Sequence, residues 1–344
     1  SRWPLGYPSA SNEPRILISA ACSVNGIGKV FGMDPIVLFF ALGLLAGVLK
    51  ADLRLPPAIY EFVSTLLLLS IGMKGGIELA RQSVGTLAAD IGLTLALGVL
   101  LTVIAFAILR GIGRLDRSNA AAVAAHYGSV SVGTFAVAVA YVASAGIAYE
   151  AQLPLLLVVL EVPAIILGIL FARGLKAGAP WSEIGREVLL GRSVLLLLGG
   201  LAIGGVAGPT GIEPLTPLFF DLFKGILALF LLEMGLIAAD HLGGFRRHGA
   251  FMVAFALLIP PFFAMIGAFF GIFMGLSVGG TLLLATLAAS ASYIAAPAAM
   301  RSAVPEANPA LSLTAALAIT FPFNILLGIP LYQRGVEWLL GGSP

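Results

Sequence analysis

Long apolar runs alternate along the chain with short stretches rich in glycine, proline and charged residues. Runs of about twenty apolar residues are long enough to cross the hydrocarbon core of a bilayer as helices. The pattern predicts ten spans, at 34–50, 57–80, 83–110, 118–145, 153–173, 191–208, 215–238, 249–275, 279–302 and 310–333. The expected fold is therefore an all-α integral membrane protein with ten transmembrane helices.

Two of these spans are interrupted near their middle by small or polar residues. Residues 128–131 (GSVS) match residues 291–294 (ASYI), and Thr134 then aligns with Pro297. An interrupted helix leaves backbone groups unpaired, which lipid tolerates only where they line a cavity or meet a ligand. Matched interruptions in two halves of a chain are typical of a transporter's binding site. We therefore expect the functional site between these two broken helices.

Other segments repeat in the same order and predict two five-helix halves. Leu66–Ala80 resembles Leu227–Asp240, and the segment starting at Glu161 resembles the one starting at Thr320. Because five spans per half is an odd number, the second half enters the membrane from the opposite side, as an inverted repeat. The predicted divisions are 1–33 (a tail and a short apolar segment at the interface), 34–175, a cytoplasmic linker at 176–190, 191–334, and a tail at 335–344.

Composition supports a lipid environment and excludes several other classes. Hydrophobic residues make up 59% of the chain and charged residues 10%, against about 25% charged in soluble domains. The net charge of +2 argues against a nucleic-acid partner. The single cysteine, Cys22, excludes a disulfide framework within the chain. Nucleotide-binding and metalloprotease motifs are missing from the sequence, so we expect no enzyme.

Basic residues predict the orientation of the chain in the membrane. Most lysines and arginines of the short loops fall on one side, including Arg110, Arg114 and Arg117. The positive-inside rule assigns that side to the cytoplasm. Both termini are then expected outside the cell.

The broken helices carry the candidate substrate site. The exposed amides at the start of a half-helix favour an anion, and hydroxyls beside them add donors. The free carbonyls of the other half-helix suit Na+. An alternative interpretation is that small residues only allow close helix packing. The candidate substrate-binding residues are Ser129, Ser131, Gly133, Thr134, Ser290, Ser292 and Pro297.

Titratable residues inside the spans are further candidates, because charges in a membrane are costly and usually functional. Glu161 follows the first broken helix and is the best-placed acid for a cation or a proton. Asp90 and Glu233 are interpreted as structural partners of Lys74 or Lys224. His126, just before the first break, is either a hydrogen-bonded packing residue or a proton-sensitive gate.

With its two repeated halves and its two broken helices, the chain resembles the sodium-dependent bicarbonate transporter family of inner-membrane permeases. The similarity covers about Asp34 to Tyr332. It is most specific at residues 288–309, which contain the sequence ASASYIAAPAAMRSAVPEANP. It implies a core and a gate domain, elevator-like transport, and bicarbonate and Na+ bound between crossed broken helices. It also implies a homotrimer and a PII-like partner on the cytoplasmic face. The implied Na+ residues are Gly128, Glu161 and Ser292.

Tyr293 is the main departure from the family pattern. Cyanobacterial members have an S-S-S-D-I-S-G-P run here, whereas this chain has S-A-S-Y-I-A-A-P. Glu161 would supply the missing charge, or protons would replace sodium. Tyr293 would then line the substrate site. Two other readings remain: a symporter of an organic carboxylate on the same fold, and a membrane sensor or scaffold that transports nothing.

Overall fold

The computed structural model describes residues 35–341 except 52, 81–83, 175–184, 187–189 and 243–244. Within these residues the chain is helical and contains no strand. The predicted N-terminal tail, the interfacial segment, Cys22, most of the linker and the end of the C-terminal tail lie outside them. The first half forms α1 (Pro35–Val48), α2 (Pro57–Leu79), α3 (Val84–Gly111), α4 (Arg117–Gly128), α5 (Val132–Ser144) and α6 (Leu153–Arg173).

The second half follows the same order with more irregular turns. It forms α7 (Arg192–Ile212), α8 (Phe223–His241), α9 (Phe245–Phe273), α10 (Val278–Ala289), α11 (Ala295–Ala303) and α12 (Pro309–Leu339). A 3₁₀ turn at Glu213–Leu215 and a π turn at Pro217–Asp221 precede α8. Two further π-helical stretches, Thr314–Thr320 and Asn324–Gly328, lie inside α12.

Seven helical stretches of the described chain are long and apolar enough to cross a membrane. They are α2, the greater part of α3, α4 with α5, α6, α7 extended to Leu215, α9 from Gly249, and α12. Two of the remaining predicted spans are occupied by shorter apolar helices, α1 and α10. The third is occupied by α8, which carries Lys224, Glu233 and Asp240. The chain is thus a multi-pass membrane protein.

Helices from the two halves pack in pairs. α1 lies along α8 and α2 lies along α7, while α3, α4 and α6 pack together and α9 packs on α10. Glycines allow the closest approaches, because they bring backbone against backbone. A Cβ atom at Gly200 would lie 3.0 Å from the Gly72 Cα atom across the α2–α7 contact.

Gly235 tests how tightly α1 and α8 are packed. A methyl group there would overlap the Phe40 carbonyl and lie 2.6 Å from the Leu44 amide nitrogen. Because both contacts are backbone, we expect Gly235→Ala to destabilise the protein by about 2–3 kcal/mol. Thermal unfolding in detergent measures this. Gly225→Ala on the same helix is the matched control, since nothing lies within 4 Å of its new methyl group; equal melting temperatures for the two variants would contradict the prediction.

The starts of both broken helices are fixed by side-chain caps. Asp116 accepts a hydrogen bond from the Asn119 amide (2.9 Å) at the start of α4, and Ser277 accepts one from the Gly280 amide (3.2 Å) at the start of α10. Partial burial would raise the pKa of Asp116, but hydrogen bonds from Asn119 outweigh burial and hold that pKa below its usual value. Glu150 also accepts from the Ser277 amide (2.6 Å), which ties α10 to the first half.

Candidate functional site

Both predicted interruptions are present in the structure. α4 ends at Gly128 and α5 begins at Val132, whereas α10 ends at Ala289 and α11 begins at Ala295. The second half-helices therefore start 163 residues apart (295 minus 132), the same offset as that between the matched sequences (291 minus 128). The two half-helices thus keep the register of the sequence match.

The two breaks are hydrogen-bonded to each other. The Ser131 amide donates to the Ser290 hydroxyl oxygen (2.9 Å), and the Ser292 amide donates to the His126 carbonyl (2.8 Å). Two extended segments from different halves of the chain therefore satisfy part of each other's backbone in the protein interior. The two breaks meet at this point, which we call the crossing (residues 129–131 and 290–294).

Most candidate hydroxyls at the crossing hold backbone in place. Ser131 Oγ accepts from both the Thr134 amide (3.0 Å) and the Thr134 hydroxyl (2.9 Å). Ser292 Oγ accepts from the Ala296 amide (3.1 Å), and the Ser290 hydroxyl donates to the Leu287 carbonyl (2.8 Å). These side chains fix the ends of the half-helices, as N-caps do.

One hydroxyl at the crossing, that of Ser129, is buried and has no partner among the described residues. The Tyr293 hydroxyl is also buried and donates to no described residue, while its oxygen lies within reach of the Ser131 hydroxyl and the Gly133 amide. A buried polar group without a partner costs about 1–3 kcal/mol, so such a group indicates a binding site or strain. Both hydroxyls can donate to an acceptor oxygen, which a small anion would supply.

Tyr293 closes over the start of α5. Its ring meets Phe321 edge-on, with centroids 5.4 Å apart, and its hydroxyl lies so near Gly133 that a Cβ atom there would overlap it. Gly133 is also close to Phe230, whose ring carbon would lie 2.9 Å from that Cβ atom. Gly128 is similarly confined by Thr102. No sequence feature marks Thr102 or Phe230, because an apolar helix does not reveal its distant neighbours.

Pro297 lines a small cavity to which the other candidate substrate-binding residues do not contribute. It occupies the first turn of α11 and shares that cavity with His126. His126 is buried, and its Nδ1 atom is 2.7 Å from the Ala122 carbonyl. Thr134 and Pro297 therefore occupy the same position in their half-helices, but the residues around them differ.

Glu161 differs from the other buried acids of the described chain. Its Oε2 atom is buried and has no hydrogen-bond partner there. Asp90 accepts instead from the Gln152 side-chain amide (3.0 Å), and Glu233 accepts from the Leu55 backbone amide (2.9 Å). The predicted pairing of these two acids with lysines is wrong, because neutral amide groups are their hydrogen-bond donors instead.

The two predicted lysine partners lie elsewhere, around a large cavity. Lys224 Nζ donates to Ser144 Oγ (2.9 Å), and Lys74 Nζ lies 5.9 Å from the centre of the Tyr149 ring. Both line a cavity of about 950 Å³ between α2, the end of α5 and the start of α8. We call this cavity the vestibule. Two glutamates, Glu78 and Glu150, line it as well, so its charged side chains balance.

Clusters of three or more His, Cys, Asp or Glu side chains that could hold a metal ion are not found in the described part of the chain. A cation bound near the crossing would therefore have single carboxylates and carbonyl oxygens as its ligands. The last four carbonyls of a helix lack partners within it. At the end of α4, those of Ala125 and His126 accept from the Ser129 and Ser292 amides, which leaves the carbonyls of Tyr127 and Gly128 for a cation. Gly128 is the last residue of α4.

Comparison with known families agrees with these features. No curated protein matches the chain. The model of the Na+-dependent bicarbonate transporter superfamily matches residues 35–337, which include both broken helices, Glu161 and nearly all of the described residues. The match supports transport of bicarbonate and a sodium requirement as the general activity. Since it covers nearly the whole chain, this protein belongs to the Na+-dependent bicarbonate transporter superfamily.

Proposed function

We propose that the protein is a secondary active transporter that imports bicarbonate together with Na+ and binds both at the crossing. The observation that carries this proposal is that two buried hydroxyls near the start of α5, those of Ser129 and Tyr293, have no acceptor among the described residues. Membership of the superfamily supports the same substrate and coupling ion.

The anion is held by donors from both halves of the chain. The first amides of a helix have no partner within it, so that of Val132 is available at the positive end of α5, whereas the Gly133 amide already lies against the Tyr293 hydroxyl oxygen. Ser129 and Tyr293 add two hydroxyl donors. Ser131, Thr134, Ser290 and Ser292 act indirectly, since their hydrogen bonds hold the half-helices in place. Tyr293 thus has a positive role in binding the anion.

Sodium is assigned to the other end of the same break. Carbonyl oxygens at the end of α4, including that of Gly128, and the Glu161 carboxylate provide oxygen ligands, which hard cations prefer. Glu161 Oε2 is a buried carboxylate oxygen without a partner in the described chain, so it gains most from a nearby cation. Ser292 then acts through its cap on α11, while Glu161 replaces the aspartate of other members.

The energetics favour symport. Moving a monovalent anion inward against 100 mV costs about 2.3 kcal/mol, and one accompanying Na+ cancels that charge. A tenfold Na+ gradient then supplies about 1.4 kcal/mol, which supports roughly tenfold accumulation of the anion. A chain that imports an anion against the membrane potential therefore needs its cation site.

Movement of the site is assigned to the boundary between two groups of helices. The pairs α1–α8 and α2–α7 form the gate domain in this proposal, and the helices around the crossing form the core. Ten membrane-crossing elements in two inverted five-helix repeats would then carry the site past the gate as an elevator. We further propose a homotrimer in the inner membrane, with both termini outside and a PII-like protein docking on the cytoplasmic face.

A small anion is favoured over an organic carboxylate. Tyr293 fills the space over Gly133 and packs on Phe321, so its ring narrows the crossing. A larger carboxylate would need that ring to leave its position. Competition between labelled bicarbonate and a series of carboxylates of increasing size distinguishes the two substrates.

Uptake of radiolabelled bicarbonate into proteoliposomes, with and without an inward Na+ gradient at fixed pH, tests the proposal. We expect Na+-stimulated uptake by the unaltered protein. Ser129→Ala and Tyr293→Phe each remove one hydrogen bond to a charged ligand, worth about 1.5–3 kcal/mol, and should raise KM roughly ten- to hundredfold.

Thr94→Val is the control, because it removes a buried hydroxyl that bonds only to its own helix (2.7 Å to the Asp90 carbonyl). Its KM should match that of the unaltered protein. Normal uptake by the double variant Ser129→Ala/Tyr293→Phe would reject the crossing as the site and favour a packing role for these residues.

A further inference from the structure

A second, smaller cavity lies beside the crossing and has its own polar groups. It has a volume of about 90 Å³ and lies between α4, α11 and the start of α12. His126 and Arg301 line it, together with Pro297, Pro305 and Pro309. The volume is enough for about three water molecules or for one small planar anion.

His126, one of the lining residues of this cavity, carries a buried hydrogen-bond acceptor. Its Nδ1 atom lies 2.7 Å from the Ala122 carbonyl oxygen. Because a carbonyl only accepts, Nδ1 must carry the hydrogen, and Nε2 of the neutral ring is then an acceptor. Nε2 is buried and has no partner among the described residues, although the side chain is only 1% exposed. The buried nitrogen therefore needs a donor.

Arg301 presents donors and a positive charge to the same cavity. The structure gives its guanidinium no ion pair or hydrogen bond within the described residues. The three lining prolines have no N–H group, so their backbone offers an anion nothing. Arg301 is therefore the cationic group available to an anion here, and its planar fork matches a carboxylate.

We propose that this cavity is a second anion site, selective for a planar monoanion that also carries a hydroxyl group, such as hydrogencarbonate. The carboxylate edge of the ion accepts from Arg301, and its hydroxyl donates to His126 Nε2. A planar anion of the same charge without a hydroxyl, such as nitrate, leaves Nε2 unpaired and binds less well. The identity of the ion rests on the proposed function, whereas the pairing of donor and acceptor rests on His126 and Arg301.

The cavity is adjacent to the crossing through one residue. The backbone carbonyl of His126 accepts from the Ser292 amide (2.8 Å), and His126 is also a lining residue of the cavity. An anion leaving the crossing toward Arg301 would meet this site next. The second site then selects the ion that carries a hydroxyl group, which is the protonated form of the substrate.

Equilibrium binding of radiolabelled bicarbonate to the purified protein tests the proposal. We expect two ions per chain in the unaltered protein. His126→Asn keeps a donor near the Nδ1 position and deletes the Nε2 acceptor, so it should weaken one site at least tenfold. Arg301→Gln should do the same. His126→Gln, which restores an acceptor near Nε2, and Arg301→Lys, which keeps the charge, should retain part of the binding.

Nitrate competition measures the selectivity directly. In the variant Ser129→Ala/Tyr293→Phe only the second site remains, and nitrate should compete at least tenfold less well than unlabelled bicarbonate. Adding His126→Asn to this double variant should abolish that preference. If nitrate and unlabelled bicarbonate compete equally well in the double variant itself, the proposed role of His126 is overturned.

The outcomes separate the two sites. One ion per chain, unaffected by His126→Asn and Arg301→Gln, would overturn the second site and leave the crossing intact. One ion per chain, lost only in these two variants, would support the second site and reject the crossing. No binding of bicarbonate at all by the unaltered protein would overturn both proposals.

Discussion

Gly133→Ala is expected to reduce bicarbonate uptake to about a hundredth of that of the unaltered protein. The new methyl group would overlap the Tyr293 hydroxyl and lie 2.9 Å from a ring carbon of Phe230. Tyr293 or the start of α5 must therefore shift, and both belong to the proposed anion site. A displacement of about 1 Å at such a site costs about a hundredfold in rate. Initial uptake rates in proteoliposomes measure the loss.

A second substitution tests the cause of that loss. Tyr293→Phe removes the atom that the methyl group would overlap, so Gly133→Ala/Tyr293→Phe should transport better than Gly133→Ala alone. Recovery will be partial, because Phe230 still contacts the methyl group and one donor is lost. Gly199→Ala, with nothing within 4 Å of its methyl group, is the control and should transport normally. A double variant no better than the single one would contradict the proposed contact.

Glu161→Gln is expected to abolish the response of the protein to Na+. The substitution keeps the shape of the side chain and removes the charge of a buried carboxylate whose Oε2 atom has no partner in the described chain. A unit charge about 4 Å from Na+ is worth about 4 kcal/mol at an effective dielectric constant of 20, so Na+ affinity should fall by at least a hundredfold. Na+-driven uptake should fall to the level measured without Na+.

Thermal unfolding in detergent reports the same loss without transport. Na+ at a hundred times its Kd should stabilise the unaltered protein by about 2.7 kcal/mol and leave Glu161→Gln unchanged. Glu233→Gln is the matched control, because Glu233 already accepts from the Leu55 amide (2.9 Å), and it should keep the Na+ response. A Na+ response retained by Glu161→Gln would remove Glu161 from the cation site.

The broken helices are the part of the structure that the sequence predicted best. Small and polar residues at 128–131 and 290–294 stand out against apolar neighbours, and the repeat offset places the start of α5 on that of α11. Glu161 was also identifiable, because a carboxyl group within an apolar span is rare and costly. These features are local in the sequence, so they can be recognised without knowing which distant segments come together in the fold.

The contacts between distant segments were not predictable. Asp90 and Glu233 were paired with lysines on charge alone, whereas an amide side chain and a backbone amide occupy those positions. The contact of Tyr293 with Gly133 and the shared cavity of His126 and Arg301 join residues 160 and 175 positions apart (293 minus 133, 301 minus 126). In a chain rich in alanine, leucine and glycine, many pairings satisfy the same hydrophobic pattern.

The hydrogen bonds at the crossing also bear on how the protein is made. The Ser131 amide is paired with a serine hydroxyl that lies 159 residues further along the chain. At about 5–20 residues per second, roughly 8–30 s of synthesis separate the two partners. During that interval the first break must be sheltered by water, by the insertion machinery or by a temporary neighbour. A nascent chain halted before Ser290 should consequently be a preferred substrate for membrane quality-control proteases, even though its first half, α1–α6, is complete.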